Sequence, residues 1–418
     1  MRRVAVTGMG VVSPLGNGAA QAFGQARAGH SGVHCLQASF TDRLTAPLAA
    51  TAAFNGVDHF EPPKLRMLDR VSQFALVAAS EAVADARADL AQADRGRIGV
   101  FLGTGMGASQ TSDDGYKTLY GDRSDRIRPF TVLMGMHNAP AAWIGIEHDL
   151  RGPALTYSTA CSSSAVAIGE AWLRVAHGAL DLAIAGGAEA PLSFGSLKAW
   201  EALHTLAAMD PDDPSSSCKP FSANRSGMVL GEGAAMLVLE SWEHAVARGA
   251  PIHGEILGCG LATDVSHITR PSVEGQVAAM VAALQSASIE ASAIDAINAH
   301  GTGTPANDAV ETAAIKAVLG QRAYHVPISA TKAMHGHLLG ATAALECVLS
   351  LLAMQHGVAL PTMHLQTPDP LCDLDCVANA AREGITVHTM LSNSFAFGGT
   401  NAVLVLGSAS RALSAVRS

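Results

Sequence analysis

Short apolar runs rich in β-branched residues alternate with longer alanine-rich stretches along the chain. The runs at residues 4–7, 98–102 and 182–185 are each followed by glycine, as strands often are before a turn. The stretches at 71–86 and 162–175 have the length and composition of helices. This alternation predicts parallel strands joined by helical crossovers, and therefore an α/β architecture.

A second series of the same kind follows the first. The first series closes with a strand at 234–239 and a charged helix at 241–248. The second begins at His253 and predicts strands at 254–261, 293–300 and 326–330 and near Val387 and Val403, with helices at 273–288, from 309 and from 338. The turn at 249–251 contains proline and is too short for a flexible linker. We therefore predict two similar α/β halves, residues 1–250 and 251–418, fused through a large interface.

Composition narrows the class of protein. Of the 418 residues, 49% are apolar and only 15% are charged, which excludes a disordered, fibrous or coiled-coil chain. The formal net charge of −9 argues against nucleic acid as a partner. The seven cysteines include no CxxC pair, which argues against a disulfide scaffold or a structural zinc site and favours a cytoplasmic location.

No segment has the pattern of a signal peptide or a membrane span. The N-terminal apolar run is soon interrupted by glycine, serine and proline. The longest uncharged stretches, residues 384–410 and 152–169, each contain four serines, with a histidine in the first and a tyrosine in the second. We interpret both as buried segments near a site and predict no association with a membrane.

The first candidate for chemistry is Cys161, in TYSTACSSSAVAIG. It lies where a helical pattern starts, with serine and threonine beside it as caps. A thiol there faces the positive end of a helix dipole, which favours the thiolate below the ordinary cysteine pKa of about 8.5 and predicts a nucleophile. The alternative is a small buried hydrophobic residue, as most free cysteines are.

A second candidate is His300, in INAHGTGTPAND. It lies where an apolar strand runs into a glycine-rich turn, in which Thr302 and Thr304 offer hydroxyl groups to a ligand. The alternative is a structural histidine at the end of a strand. On this segment alone, both interpretations stay open.

The segment SATKAMHGHLLGATAALE concentrates polar residues in one strand-loop-helix unit. Lys332, His337 and Glu346 predict a polar cluster at the carboxyl end of a strand, although a lysine near a helix start is often simply solvated. His335 and His337 flank one glycine and lack the i, i+4 spacing of a zinc pair. We therefore predict no metal site.

Glycines mark two more loops. Gly398 and Gly399 follow Phe397 in LSNSFAFGGTNAVLVL and predict either a loop with unusual φ angles and free backbone N–H groups or an ordinary turn. The glycines at 103, 105 and 107 do not have the G-x-G-x-x-G spacing, so no nucleotide-binding loop is predicted.

Together, six motifs resemble those of the β-ketoacyl-acyl carrier protein synthases, in the same order as in that family. They are TGMGVVSPLG, STACSSSAVAIGEA, AIAGGAEA, NAHGTGTPAND, SATKAMHGHLLGA and NSFAFGGTNAVLVL. The resemblance covers residues 3–407 and is strongest to the elongating, type II group of these condensing enzymes, within the thiolase superfamily. It implies a thiolase-like αβαβα fold of two pseudo-symmetric halves, and a homodimer.

The resemblance also implies a role for each matching residue. The catalytic residues would be the nucleophile Cys161, the histidines His300 and His337, the lysine Lys332, its acidic partner Glu346 and the gating phenylalanine Phe397. The substrate-binding residues would be Thr302 and Thr304 in the pantetheine channel, together with Met228, Phe395, Gly398 and Gly399.

The implied reaction accounts for these residue types. Cys161 would attack an acyl thioester, with the oxyanion held by the backbone N–H groups of Cys161 and Phe397. A malonyl group would then lose carbon dioxide, and His300 and His337 would stabilise the enolate that attacks the acyl-cysteine. Both groups would arrive on the phosphopantetheine of acyl carrier protein, and no metal or redox cofactor is implied. A thiolase or a simple acyltransferase is the alternative, although thiolases use a second cysteine as base.

The chain departs from the pattern of the elongating enzymes at four positions. In KPFSANRSGM, Ser222 and Ser226 replace two acids, and Met228 replaces an aromatic residue near the expected acyl pocket. Ala396 replaces the glycine before Phe397. A flexible thioether fills irregular space and alanine restricts the backbone, so we expect an altered acyl preference and a stiffer gate. The segment NAHGTGTPANDAVET also resembles nodulation-associated and aryl-polyene synthases, which leaves the pathway open.

Acyl carrier proteins are acidic, and this chain is acidic overall. The basic candidates for docking lie in two segments: Lys64, Arg66, Arg70, Arg126 and Arg128. The alternative for each is a solvated surface charge. The partner subunit would be a second copy or a chain-length-factor homologue. A non-catalytic chain-length factor is itself an alternative, but those subunits lack the cysteine, whereas Cys161, His300 and His337 are all present here.

Overall fold

The strands and helices follow the alternation predicted from the sequence. The computed structural model describes residues 1–90 and 92–410. Within these residues the strands are β1 (Val4–Ser13), β2 (Gly16–Asn17), β3 (Val33–Cys35), β4 (Leu48–Ala50), β5 (Ile98–Gly103), β6 (Ala154–Tyr157), β7 (Leu182–Glu189), β8 (Gly233–Ser241), β9 (Gly254–Thr263), β10 (Ala296–Asn298), β11 (Ile328–Ser329), β12 (Val358–Ala359), β13 (Arg382–Glu383), β14 (Thr389–Phe395) and β15 (Thr400–Ser408). The α-helices are α1 (Ala19–Arg27), α2 (Pro62–Leu65), α3 (Arg70–Asp85), α4 (Ser109–Tyr116), α5 (Thr131–Gly135), α6 (Ala139–Glu147), α7 (Ser163–Ala176), α8 (Phe194–Ala202), α9 (Trp242–Ala247), α10 (Val273–Ala287), α11 (Pro305–Leu319), α12 (Lys332–His335) and α13 (Thr342–His356).

The central sheet has the same strand order in each half of the chain. Its order is β6-β5-β7-β8-β1-β9-β15-β14-β10-β11, with β2 added to β1. Read outward from the middle, the first half runs β1-β8-β7-β5-β6 and the second runs β9-β15-β14-β10-β11. Corresponding pairs of neighbouring strands in the two halves are also alike in being parallel or antiparallel. β1 and β9 join the halves through a short antiparallel pairing of residues 4–6 with 254–256.

The sheet is mixed, so the prediction of parallel strands joined by helical crossovers is correct for only part of it. β5 is parallel to β6 and β7, and β10 is parallel to β11 and β14, but β8 and β15 run antiparallel to both of their neighbours. β14 and β15 are joined by the tight turn 396–399, which only antiparallel strands permit. The connection from β7 to β8 contains helix α8, so in the sequence it looks like a crossover.

The helices form three layers around the two halves of the sheet. α7 and α13 pack against each other in a middle core shared by both halves. α3 and α6 cover the outer face of the first half, and α10 and α11 cover that of the second. Along β8, Ala235, Leu237 and Leu239 face the middle core while Met236 and Val238 face α3, so this strand is apolar on both faces. The predicted αβαβα architecture is confirmed.

Local capping explains where the elements that carry the site begin. α11 starts at Pro305 rather than at the predicted residue 309, because the Thr304 side chain accepts a hydrogen bond from the Asn307 backbone N–H. The helix predicted from residue 338 begins at Thr342, after the 3-10 turn Leu339–Ala341. A second 3-10 turn, Ala160–Ser162, precedes α7.

One apolar helix is buried in the middle core. Among the described residues, Leu339–His356 is long and apolar enough to cross a bilayer, but 89% of this segment is buried inside the fold. This burial is expected, because α13 lies in the middle core shared by the two halves of the sheet.

Candidate active site

Cys161 occupies the 3-10 turn between β6 and α7. Ala160 before it has a φ of 50°, which is uncommon for a residue with a Cβ, and the Ser163 hydroxyl donates to the Ala160 carbonyl at 2.7 Å. Cys161 is only 5% exposed, and the backbone N–H groups of Cys161 itself and of Phe397 lie close enough to its sulfur to stabilise the thiolate. The structure therefore brings the two predicted oxyanion donors to the nucleophile.

Burial changes the acidity of Cys161. Loss of water raises the pKa of the thiol to about 11, and the nearby Lys332 charge and the two backbone N–H groups oppose this only in part. The prediction of a lowered pKa is therefore wrong for the free enzyme, because desolvation of the sulfur outweighs the helix dipole. At neutral pH the resting nucleophile is a thiol.

The raised pKa of Cys161 predicts how its alkylation depends on pH. Below its pKa, the thiolate fraction rises about tenfold per pH unit, so alkylation by iodoacetamide should accelerate from pH 7 to pH 10 without a plateau. Peptide mass spectrometry separates Cys161 from the partly exposed Cys35, which serves as the internal control. A plateau below about pH 9 would show that Cys161 is a stabilised thiolate.

His300 and His337 lie beside Cys161. Their ring centroids are 5.5 Å apart with the ring planes at 81°. One nitrogen of each ring and the Cys161 sulfur all lie within 4.8 Å of one another. Burial lowers the pKa of both histidines well below the ordinary value, and the positive charge of Lys332 lowers them further. Both rings are therefore neutral at physiological pH.

Hydrogen bonds fix the tautomer of His337. The Leu339 backbone N–H donates to Nδ1 at 3.1 Å, and the Thr342 hydroxyl lies 2.9 Å from the same atom. Nδ1 is thus the acceptor, and the ring proton is on Nε2. Among the residues that the structure describes, the buried Nε2 has no hydrogen-bond partner. It is therefore a free N–H donor next to the nucleophile.

Lys332 and Glu346 form a buried ion pair behind the histidines. Lys332 Nζ donates to Glu346 Oε1 at 2.7 Å and also to the carbonyl oxygen of His300. Their side chains are 1% and 0% exposed. Burial raises the pKa of Glu346 to about 7, although Lys332 opposes the rise. Neither residue lines the cavity, so they act on His300 and on the local charge rather than on a substrate directly.

Most of the predicted site residues line one cavity. Thr302 and Thr304 lie on its wall with their hydroxyl oxygens 2.9 Å apart, and Met228 is 3% exposed. Lining it are Cys161, His300, His337, Thr302, Thr304, Met228, Phe395, Phe397 and Gly399. The cavity wall is thus drawn from both halves of the chain.

The glycine loop after Phe397 is locked to the segment 264–271. The Gly398 N–H donates to the Ile268 carbonyl at 2.7 Å, and Gly398 does not line the cavity. Gly399 has a φ of 79°, and a Cβ there would lie 2.1 Å from the Asp264 carbonyl oxygen, so only glycine fits. Segment 264–271, which no motif marked, supplies the outer part of the cavity wall.

Two further side chains were not identified from the sequence. Trp200 on α8 stacks on Phe397 with the ring centroids 6.0 Å apart, and its indole N–H donates to the Met106 sulfur at 3.2 Å. Glu311 on α11 accepts the His300 N–H at 2.7 Å. The available signal for Glu311 was an acidic residue about two helical turns after the predicted catalytic turn. No such signal pointed to Trp200.

The four departures from the family pattern differ in their distance from the cavity. Met228 and Ala396 line it, whereas Ser222 and Ser226 do not. The Ser222 hydroxyl donates to the Thr367 carbonyl at 3.1 Å, and Ser226 accepts the Ala208 N–H at 3.1 Å. The two serines therefore tie neighbouring segments together and do not shape the acyl site.

The predicted docking residues fall into two groups. Arg66, Arg126 and Arg128 are exposed, and Arg66 and Arg128 border a common cleft. Arg70 borders that cleft too, but it is held by Glu232 in a two-pronged ion pair at 2.6 and 2.8 Å. Lys64 pairs with Glu147. Arg70 therefore has a structural role that its sequence position did not reveal.

The Cys161, His300 and His337 ligand atoms are also close enough together to surround a metal ion. Histidine ligands of metals usually donate their other ring N–H to a carbonyl or carboxylate. Here Nδ1 of His337 accepts an N–H instead, and within the described part of the chain Nδ1 of His300 has no partner. The donor set does not fit a metal centre.

The sequence matches two family models. They are the Beta-ketoacyl synthase, N-terminal domain, over residues 1–245 and the Beta-ketoacyl synthase, C-terminal domain, over residues 253–366. The chain is 42% identical to nodulation protein E of Rhizobium meliloti (strain 1021), covering 96% of this chain and 98% of that protein. It is 40% identical to 3-oxoacyl-[acyl-carrier-protein] synthase 2 of Staphylococcus aureus (strain COL), covering 97% and 98%.

Solved structures agree with these matches. The ishigamide ketosynthase/chain length factor superposes with a TM-score of 0.91 at 34% identity, covering 97% of this chain and 99% of that one. A ketosynthase bound to a hexaketide, in complex with its type II PKS acyl-carrier protein, gives 0.90 at 31% identity, covering 97% and 99%. With the cysteine, the two histidines and the lysine placed as described, this chain belongs to the β-ketoacyl synthase family of acyl-transferring condensing enzymes.

Proposed function

We propose that this chain extends an acyl group by two carbons through the decarboxylative condensation of a malonyl group, both carried on acyl carrier protein. The observation that carries the proposal is the meeting of the Cys161 sulfur, two backbone N–H donors and two neutral imidazoles at one cavity. In this proposal residues 1–250 supply the nucleophile and residues 251–418 supply the histidines.

The first half-reaction transfers the acyl group to Cys161. The thiol loses its proton as the thioester binds, and the sulfur attacks the carbonyl carbon. The N–H groups of Cys161 and Phe397 stabilise the oxyanion. The C–S bond to phosphopantetheine then breaks, and the departing thiolate takes up the proton. A neutral imidazole within 4.8 Å of the sulfur is positioned to carry that proton.

The second half-reaction makes the carbon–carbon bond. The bond between the malonyl carboxylate and its α-carbon breaks, carbon dioxide leaves, and the electron pair forms an enolate. The free Nε2–H of His337, with His300 beside it, stabilises the negative thioester oxygen. The enolate carbon attacks the acyl-cysteine carbonyl, and the C–S bond to Cys161 breaks, leaving a thiolate that takes up a proton from water to restore the resting thiol. The reaction needs no external oxidant or reductant, so no cofactor is needed beyond the carried phosphopantetheine.

Two other activities fit the site less well. A non-catalytic chain-length factor has no use for a buried cysteine whose sulfur lies near two backbone N–H groups. A thiolase needs a second cysteine as base, and the only thiol lining this cavity of the described chain is Cys161. The Cys161-His300-His337 set instead fits decarboxylating condensation.

The proposal is tested with purified carrier proteins. Cys161 should gain the acyl mass when the chain is incubated with acyl-carrier proteins, and 3-oxoacyl product and carbon dioxide should appear in equal amounts when malonyl-carrier protein is added. A panel of acyl groups of different length and unsaturation then reports the chain preference and with it the pathway. Absence of both acylation and carbon dioxide release would overturn the function.

We also propose that the chain pairs through the edge strand β6. β6 ends the sheet on one side, and its Leu155 is 37% exposed. Exposed apolar side chains precede it in the chain: Tyr116, Tyr120, Ile127, Phe130, Val132 and Leu133. An unpaired edge with apolar neighbours favours pairing with another edge. Light scattering of the purified chain tests the partner: twice the monomer mass supports a homodimer, and a monomer that associates only with a chain-length-factor homologue supports the heterodimer.

Charge reversal tests the docking residues. Arg66→Glu combined with Arg126→Glu is expected to raise the KM for carrier-protein substrates by about tenfold at low salt and to flatten its salt dependence, because an acidic partner loses attraction. The control is Arg27→Glu on α1, whose side chain is also partly exposed, although it pairs with Glu383. An unchanged KM in the double variant at low salt would reject these residues as a docking surface.

A further inference from the structure

Glu189, the last residue of β7, is a buried carboxylate that the proposed chemistry does not use. It is fully buried, and within the part of the chain that the structure describes it has no ion-pair partner. Its oxygens accept the backbone N–H groups of Gly105 at 2.6 Å, Met106 at 2.9 Å and Gly340 at 2.9 Å, and the Thr104 hydroxyl at 3.2 Å. A buried charge without a cation is costly, and here four donors offset that cost.

The four donors come from both halves of the chain. Three belong to the loop that follows β5, and the fourth, Gly340, belongs to the 3-10 turn before α13. The two loops touch through their backbones, because a Cβ on Gly340 would lie 2.4 Å from the Gly105 nitrogen. Glu189 thus joins the halves at the point where their loops meet.

The turn that Glu189 holds also holds His337. The Leu339 N–H donates to His337 Nδ1, and the next amide, that of Gly340, donates to Glu189. The consecutive backbone N–H groups of Leu339 and Gly340 therefore donate to His337 and to Glu189, respectively. Any shift of this turn moves the donor that fixes the His337 tautomer.

The Cys161 turn depends less on Glu189. The Ser163 hydroxyl donates to the Ala160 carbonyl at 2.7 Å, the Thr159 N–H donates to Ser163 Oγ at 2.9 Å, and the Ser162 hydroxyl donates to the Thr159 carbonyl at 2.9 Å. These bonds lie within residues 159–163, and the loop after β5 adds only a longer contact, from the Ser163 hydroxyl to the Thr104 carbonyl at 3.5 Å. A change at Glu189 should therefore separate the two half-reactions.

We propose that Glu189 is a positioning residue that holds the 339–340 turn against the 104–106 loop and so keeps the Nε2–H of His337 directed at the malonyl thioester oxygen. The inference rests on the function proposed above. It assigns Glu189 no contact with substrate.

The test is Glu189→Gln. The NH₂ group of the glutamine side chain is a hydrogen-bond donor and would face backbone N–H groups. At least one backbone N–H therefore loses its acceptor in either orientation of the side-chain amide. We expect kcat for carbon dioxide release from malonyl-carrier protein to fall by about 30-fold with little change in KM. The loss is smaller than that expected for removal of the His337 ring, because a misaligned donor still stabilises the enolate in part. Acylation of Cys161 should not fall by more than about threefold, because the Glu189 charge is one of the effects that raise the pKa of Cys161 and its removal favours the thiolate.

The matched control is Glu240→Gln. Glu240 is also fully buried and accepts the Thr7 hydroxyl at 2.5 Å, but its other partners are His244 and Arg248 on α9 and the following residue, away from the cavity. It should lower stability and leave the ratio of the two rates unchanged. Equal loss of both half-reactions in Glu189→Gln, or the same split in Glu240→Gln, would overturn the proposal.

Two further variants complete the test. If Glu189→Gln does not fold, Glu189→Asp keeps the charge with a shorter reach and should show the same split with a smaller fold-change. When Glu189→Gln is added to His337→Ala, carbon dioxide release should fall by less than about a further threefold, because Glu189 acts through His337. If the double variant instead shows the losses of both single variants combined, the inference is overturned. A wild-type chain that releases no carbon dioxide would instead reject the proposed function itself.

Discussion

Replacing Cys161 with alanine is expected to abolish 3-oxoacyl product formation, with a loss of at least about 10⁴-fold in the condensation rate. The methyl group cannot form the acyl thioester, and within the described chain no other thiol lines the cavity. Cys161→Ser should fail as well, because a hydroxyl is far less nucleophilic than a thiolate. Product is measured by mass spectrometry of the carrier protein after addition of acyl- and malonyl-carrier proteins.

The same variant should keep part of the second half-reaction. His300, His337 and Lys332 are untouched in Cys161→Ala, so carbon dioxide release from malonyl-carrier protein should continue without condensation. The matched control is Cys218→Ala, because Cys218 is a buried cysteine of a separate small core. Wild-type product formation by Cys161→Ala would reject Cys161 as the nucleophile.

Much of the site could be predicted because its residues occupy positions that the fold makes reactive. Cys161 follows a strand and precedes a helix, and His300 follows a strand. The carboxyl ends of parallel strands lie at the same edge of a sheet, and β5, β6 and β7 are parallel. This explains why motifs separated by more than a hundred residues line one cavity.

What could not be predicted depends on contacts between distant segments. The pKa of Cys161 is set by how completely the fold removes water, which the local helix start does not reveal. Arg70 meets Glu232, and Glu189 meets Gly340, across 162 and 151 positions of sequence. The antiparallel orientation of β8 and β15 was missed for a related reason, since an apolar run has the same pattern in either direction.

Removing the His337 ring is expected to separate the two half-reactions in the opposite sense to Cys161→Ala. In His337→Ala, carbon dioxide release from malonyl-carrier protein should fall by about 10²–10³-fold, the usual cost of losing one donor to a developing oxyanion. Cys161 should still be acylated within about threefold of the wild-type rate, because its oxyanion donors are the backbone N–H groups of Cys161 and Phe397. Single-turnover assays with each carrier-protein substrate measure the two steps separately.

His335 provides the control, since it is as buried as His337 and only two residues away. Its Nδ1 lies 2.7 Å from the Gly336 carbonyl and its Nε2 lies 3.0 Å from the Thr331 hydroxyl, so both nitrogens are engaged and neither reaches the cavity. His335→Asn should therefore lower the free energy of unfolding and leave both rates near those of the wild type. If His337→Ala lost acylation and decarboxylation equally, or if His335→Asn produced the same split, the ring would be acting through the fold rather than through its Nε2–H.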